Sequence, residues 1–371
     1  MQNLIYHISN SGLSKEDLAK KSGISIERIN DFLRGNTEPT MSDVRKLSKA
    51  LKLSTDFLIA NSDKYEEINV LFRQAIHSDK EKQKADKISY IVGNSFSLLK
   101  DYQANQFLFE GFPQVDNTYS NARLLASKFR EIFCNNDFVS PILNLPRLIS
   151  EELNCILFVI DLGRDVDGAS AVINSVPFIF ISPRFEPRML FTLAHELGHI
   201  IAHHNKDVNF AKIDQHISEI GRNKFKDEAF SNAFASELLL PEEGVGITLQ
   251  KIRQHFKITG NLGDVEIIYL SRIYGVSFEV AAKRCEDLKL IPSGGAISLY
   301  EKLKKDHESP EKRADELNIP ERPKIEFPKV SSSLIKSAIS KVNSGEISLG
   351  KASEILSISI ADIVNYNAIE E

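Results

Sequence analysis

Cysteine is scarce in this chain, and that scarcity is the first constraint. The three residues, Cys134, Cys155 and Cys285, lie far apart with no Cys-x-x-Cys spacing. This excludes a disulfide framework and a thiolate zinc site, and they read as reduced core residues. No run of about 18 apolar residues occurs, which excludes a membrane-spanning helix. The opening Met1-Gln-Asn-Leu-Ile-Tyr-His7 places no basic stretch ahead of an apolar segment. We therefore expect no secretory leader and a soluble, cytoplasmic protein. An excess of positive charge is also missing. The net charge of −5 argues against a protein coated with nucleic acid, so any DNA contact must come from a local face. Apolar side chains are plentiful, at 42% of 371 residues, enough for two or three cored domains.

The stretch Phe191-Thr-Leu-Ala-His-Glu-Leu-Gly-His-Ile-Ile-Ala-His-His204 states the chemistry. His195 and His199 are four apart, so on a helix they stand one turn above the other and can share one Zn²⁺. Glu196 follows the first His directly, where a general base can reach a water on the same metal. Leu190, Leu193, Leu197, Ile200 and Ile201 give the helix an apolar side to bury, which would hold the ligands rigidly.

Two histidines do not complete a catalytic zinc site, which needs a third protein ligand and an open position. A metzincin would carry Gly at 202 and His at 205, but the chain has Ala202 and Asn205 there, and that class is excluded. The other solution is a carboxylate from a later helix. In Lys226 to Pro241, the residues Glu228, Ser231, Asn232 and Ala235 recur at three and four and form a small, polar stripe, while Phe230, Ala233, Phe234 and Leu238 form the apolar side. Glu228 is the expected third ligand. Glu237 lies roughly 180° round the same helix and cannot share that face.

These motifs carry a resemblance. His195-Glu-Leu-Gly-His199 with His203, followed by Glu228-x-x-Ser-Asn232-x-Phe-Ala-x-Glu-Leu-Leu-Leu-Pro241, resembles the ImmA/IrrE family of bacterial metallopeptidases. Upstream, Asp161-Leu-Gly, Asp167-Gly-Ala-Ser-Ala171 and Pro177-Phe-Ile-Phe-Ile-Ser182 resemble the short sheet that precedes the zinc helix in that family. The resemblance covers roughly residues 120 to 290. It implies a gluzincin-like site in which two His and a Glu bind zinc and the Glu after the first His is the base. The substrates it implies are DNA-binding repressor proteins. Ser231 and Leu240 depart from the residues commoner in the family, Ala and Met, and neither is expected to touch the ligands. His203 is expected to pack or to support a ligand, and no donor is assigned to the developing oxyanion. The strand beside the zinc helix, taken as Ser170 to Ile173 or Phe178 to Ile181, is expected to pair with an extended substrate.

The first 60 or so residues read as five short helices. Ser14 to Gly23 and Ser25 to Gly35 each begin at a Ser cap and end at Gly, with a tight turn at Gly23-Ile-Ser25 between them. The run resembles the XRE (Cro/phage repressor) family of helix-turn-helix domains. That resemblance puts the start of the second helix in the major groove, with Ser25, Glu27 and Arg28 facing DNA and Lys15 as a base or phosphate contact. Arg28 suits guanine and Glu27 a cytosine amine. Glu27 and Asp31 make this helix less basic than a strong DNA reader, and the same fold can dock a protein instead.

The expected fold class is α+β, mostly helical. Residues 1–62 form the helix-turn-helix domain, 63–118 a helical connector, 119–295 the zincin-like peptidase domain with a small sheet, 296–329 a charged linker, and 330–371 a small helical module. The segments 61–118 and 301–329 are candidates for holding the cleft shut. The expected function is a DNA-binding transcription regulator fused to a zinc endopeptidase that cleaves a regulatory protein, a repressor or a toxin-antitoxin partner, in a mobile-element, stress or defence setting. The alternative is a repressor or antitoxin whose peptidase-like body binds or senses a partner without cutting it. The expected DNA is the operator of its own or a neighbouring gene, the expected protein partner is encoded nearby, and operator symmetry suggests a homodimer.

Overall fold

The computed structural model describes residues 4, 5, 8, 13–51, 55, 58, 79–99, 110–203, 209–215 and 226–370. By its internal contacts the chain divides into two units, one of residues 1–74 and 78–94, the other of 75–77 and 95–371.

In the first unit, helix α1 (Lys15–Ser22) starts where the Ser14 hydroxyl accepts the Asp17 amide at 3.0 Å, and it stops at Gly23 in the left-handed region, φ 67°. Helix α2 (Ile26–Arg34) repeats this grammar with Ser25 and Gly35. Both glycines are needed because the backbone turns left-handed there, a conformation that costs other residues. Helix α3 (Met41–Leu51) and the body of α4 (Asp79–Ser95) follow. Leu18, Ile24, Ile29, Phe32, Val44 and Leu47 form the buried core, with Tyr90 packed against it. The outermost of the five expected helices lie largely outside the described residues, as does part of the expected connector.

In the second unit, helix α5 (Tyr119–Phe133) is capped by Thr118. A helical turn at Leu145–Arg147 then continues into a wider π-helical turn at Leu148–Glu152. Three strands follow: β1 (Ile156–Val159), β2 (Val166–Ile173) and β3 (Val176–Ile181). Strands β2 and β3 form a hairpin whose two loop residues, Asn174 and Ser175, both have positive φ, the geometry that matches the twist of the flanking strands. Period-two alternation sends Leu157, Ile179 and Ile181 into the main core and Phe158, Phe178 and Phe180 to the other face, where Phe158 and Phe180 stack at 5.3 Å.

Helix α6 (Glu186–His203) then crosses the sheet, and Leu190, Leu193, Leu197 and Ile200 are fully buried against it. A fourth strand, β4 (Phe210–Gln215), was not expected. It pairs antiparallel with β2 and gives the order β1-β3-β2-β4. Its sequence Phe-Ala-Lys-Ile-Asp-Gln is short and half polar, a weak strand signal.

This order corrects the expectation for substrate pairing. Strand β3 lies between β1 and β2, and β2 lies between β3 and β4, so neither offers an open edge. The outer side of β1 is covered by residues 329–331: the Val159 amide donates to the Lys329 carbonyl and the Ser331 amide to the Leu157 carbonyl, both at 2.9 Å. No described strand pairs with the outer side of β4.

The remaining helices are α7 (Lys226–Leu239), α8 (Glu242–Phe256), α9 (Asp264–Tyr274), α10 (Phe278–Asp287), α11 (Gly295–His307) and α12 (Pro310–Glu316). They are followed by α13 (Ser332–Asn343), α14 (Leu349–Leu356) and α15 (Ile360–Glu370). Composition reads 296–329 as a linker, but in the structure the segment is helical over α11 and α12 and tied down beyond them. Buried Arg272 donates to the Ile319 and Pro320 carbonyls at 2.9 Å each, and Arg322 returns to the Ser271 carbonyl at 2.9 Å. Within the segment Arg322 also pairs with Glu311 at 2.7 Å, a tie that composition does not carry.

Candidate metal centre and DNA-reading helix

The first turn of α6 is pinned to β2. Asp167, 1% exposed, receives Arg188 at 2.5 Å and Arg184 at 3.4 Å. From there the helix carries His195, Glu196 and His199 into full burial. Helix α7 can lie close because of Gly198. A Cβ at that position would stand 3.0 Å from the Phe234 ring and 3.3 Å from the Ser231 Cα. The apparent helix breaker in the motif therefore serves the crossing of two helices.

The polar stripe of α7 faces the two imidazoles. His195 Nδ1 lies 2.8 Å from Asn232 Oδ1, and His199 Nδ1 lies 3.0 Å from Ser231 Oγ. A carboxamide oxygen can only accept, so His195 carries its proton on Nδ1, and the Ser231 hydroxyl suits the same tautomer at His199. Both Nε2 lone pairs then point inward, 3.0 Å apart. Glu228 completes the group, with Oε2 at 3.3 Å from His195 Nε2 and Oε1 at 3.6 Å from His199 Nε2.

Two neutral nitrogens and a carboxylate that converge lone pair to lone pair repel one another unless a cation lies between them. Ligand nitrogens on a tetrahedral zinc are about 3.3 Å apart by simple geometry, close to the spacing found here. The donor set fits such an ion. His195, His199 and Glu228 are also the one such His/Cys/Asp/Glu group among the described residues. Ser231, expected to stay clear of the ligands, instead supports His199. Its distance from Glu228 along the helix puts it beside the carboxylate, so the stripe itself held the signal.

The candidate base is held from the sheet. Ser170 in β2 donates its hydroxyl to Glu196 Oε2 at 2.6 Å. Two residues earlier on the same strand face, a Cβ on Gly168 would collide with Glu196 Oε1 and stand 2.7 Å from Thr192. A glycine and a hydroxyl at i and i+2 thus shape the space around one carboxylate. Lys212 in β4 makes an ion pair with Glu228 Oε1. Neither Ser170 nor Lys212 was singled out from the sequence. Only the period-two pattern of β2 could have flagged Ser170, and only with the helix already placed against it.

Glu237 has another task. It is 5% exposed and meets Arg284 at 2.6 Å and Arg123 at 2.8 Å, away from the imidazoles. The side chain of His203 and all of His204 lie outside the described residues. Burial pushes the Cys155 thiol well up and the Cys285 thiol up to about 12, which suits inert core cysteines.

In the first unit, Lys15, Ser25, Glu27 and Arg28 are all exposed. Three of the four are already engaged. Lys15 Nζ donates to Asn30 Oδ1 at 2.7 Å, and Arg28 forms a two-pronged pair with Asp43 at 2.8 and 3.3 Å while lying 5.4 Å above the Phe32 ring. Hydrogen bonding from Arg28 first, and then from Thr40, holds the Asp43 carboxyl well below the usual carboxylate range, against an opposing push from burial. Ser25 is the α2 cap, accepting the Arg28 amide at 3.3 Å.

Two family models match this chain. Residues 152–286 match the model described as an IrrE N-terminal-like domain, a peptidase family, and residues 10–58 match one described as helix-turn-helix. No curated protein matches the chain. The matched regions give an N-terminal helix-turn-helix region of the XRE type followed by an ImmA/IrrE-like, metallopeptidase-like region.

Proposed function

We propose that this protein is a transcription regulator fused to a zinc-dependent endopeptidase that cleaves a regulatory protein. The observation that carries the reading is the convergence of His195, His199 and Glu228 beside a buried carboxylate, Glu196. A structural zinc has no use for that carboxylate.

A zinc ion held by those three residues would lower the pKa of a bound water and polarise a scissile carbonyl. The remaining work belongs to the chain. Glu196 takes a proton from the attacking water and passes it to the leaving amine nitrogen. Ser170 keeps the Glu196 carboxylate in one orientation through Oε2, 2.6 Å away. Asn232 and Ser231 hold the His195 and His199 rings in the tautomer that turns Nε2 inward. An extended peptide adds to β4, the edge of the sheet nearest the site, by main-chain hydrogen bonds that tolerate many sequences.

The helix-turn-helix domain aims this activity at DNA. We assign Ser25 and Glu27 to the groove, and Lys15 and Arg28 to contacts made once they leave Asn30 and Asp43. The operator of its own or a neighbouring gene is the proposed site, with a homodimer matching its symmetry. The proposed substrate is a repressor or a toxin-antitoxin partner encoded nearby.

The test combines the purified chain, Zn²⁺ and the product of the adjacent gene, comparing wild type with Glu196→Gln. Cleavage by wild type alone is expected, with the variant slowed at least 10²-fold, about the least that general-base catalysis contributes. Equal cleavage by both would remove Glu196 from the mechanism.

A further inference from the structure

Lys212 is neither a ligand nor the base, yet its ammonium lies on the carboxylate that completes the metal group. It stands in β4 directly opposite Ser170 of β2. Opposed residues of an antiparallel pair share a face of the sheet. Ser170 reaches Glu196 and Lys212 reaches Glu228, so one cross-strand pair touches both carboxylates of the site.

The location of Glu228 makes this contact consequential. It is the third residue of α7, in the first turn, and its side chain is 17% exposed. A glutamate at a helix end keeps several rotamers, and fixing one of them costs side-chain entropy. The two oxygens divide their work. Oε2 is the one nearer His195, at 3.3 Å, while Oε1 takes Lys212 and lies 3.6 Å from His199 Nε2.

We propose that Lys212 is a positioning residue that holds Glu228 in the rotamer facing His195 and His199. The inference rests on the metallopeptidase reading above. A competing effect has the opposite sign: an ammonium close to a dication repels it. If repulsion alone acted, removing Lys212 would tighten metal binding.

The experiment strips the full chain with a chelator and titrates it with Zn²⁺ against a fluorescent chelator, for wild type, Lys212→Met and Lys212→Arg, with melting curves of the stripped proteins in parallel. Lys212→Met is expected to bind zinc on the order of tenfold more weakly, the loss usual when the partner of a metal ligand is removed. Lys212→Arg is expected to recover most of that loss, and the stripped proteins to melt together. Equal or tighter binding by Lys212→Met, or a Lys212→Arg protein as weak as Lys212→Met, would overturn the proposal. A wild type that takes up no zinc would instead bring down the metal site itself, a distinguishable failure.

Discussion

The two ends of α7 each present a glutamate, and the two do opposite things. Glu228, in the first turn, faces two neutral imidazoles and an ammonium at the edge of the sheet. Glu237, in the last turn, is clamped by Arg284 and Arg123 and accepts the Glu242 amide at 3.3 Å. Around it, Arg284 and Arg130, among the largest fully buried side chains, donate to the Leu240 and Leu238 carbonyls at 2.8 Å each, which satisfies the end of the helix. Residue type does not set the role of a carboxylate. The charges it meets do: guanidiniums make it structural, whereas converging lone pairs make it a ligand.

The sharpest way to break this contrast is to neutralise each glutamate in turn. Glu237→Gln leaves Arg284, 0% exposed, without its anion. Removing one partner of a buried pair costs about 3–5 kcal/mol, so denaturant unfolding is expected to show a loss of that size. Glu228→Gln is expected to leave metal-free stability near wild type while zinc affinity collapses. If the two variants exchanged phenotypes, the assignment of the two ends would be reversed.

A smaller effect sharpens the ligand end. Asn232→Ala and Ser231→Ala each remove a partner from an imidazole Nδ1 while leaving the coordinating Nε2 atoms in place. Zinc affinity is expected to fall by about 10–100-fold in either variant. Asn232→Ala should cost more, because a carboxamide oxygen fixes the tautomer whereas a hydroxyl can turn to serve either one. Chelator competition distinguishes the two, and unchanged affinity in both would leave the rings held by packing alone.

The ligand end was legible in the sequence because helices encode faces in a period that can be counted. The spacing picked out His195, His199 and Glu228, which the structure brings together, whereas Ser231 was expected to stay clear and instead touches His199. Legibility stopped where contacts depend on register between distant segments. Lys212 meets Glu228 only because β4 pairs with β2 in one alignment, and Ser170 reaches Glu196 only because Gly168 lets the helix approach. The course of residues 296–329 was hidden for a related reason: buried arginines with carbonyl and carboxylate partners leave the same compositional mark as solvated ones.

Asp43 carries the comparison into the helix-turn-helix domain, where a guanidinium-held carboxylate lies under an exposed partner. Arg28, 45% exposed, reaches it at 2.8 Å, and Thr40 donates to it through its amide at 2.9 Å and its hydroxyl at 2.6 Å. Asp43 thus joins the start of α3 to helix α2. Because these donors hold its carboxyl below the usual range, the charged form is favoured in the folded state. The stability it contributes is fully present above the unfolded carboxyl pKa of about 3.9 and is lost as pH falls below that value. Wild type is therefore expected to melt above Asp43→Asn at about pH 6, with the gap narrowing as pH falls below about 4, where the unfolded chain takes up a proton that the folded carboxyl still resists. This is the smallest effect, since solvent screens an exposed guanidinium. A gap that stayed constant across that window would mean that Asp43 acts by shape and capping alone. Arg28 would then be free to leave it for DNA at little cost.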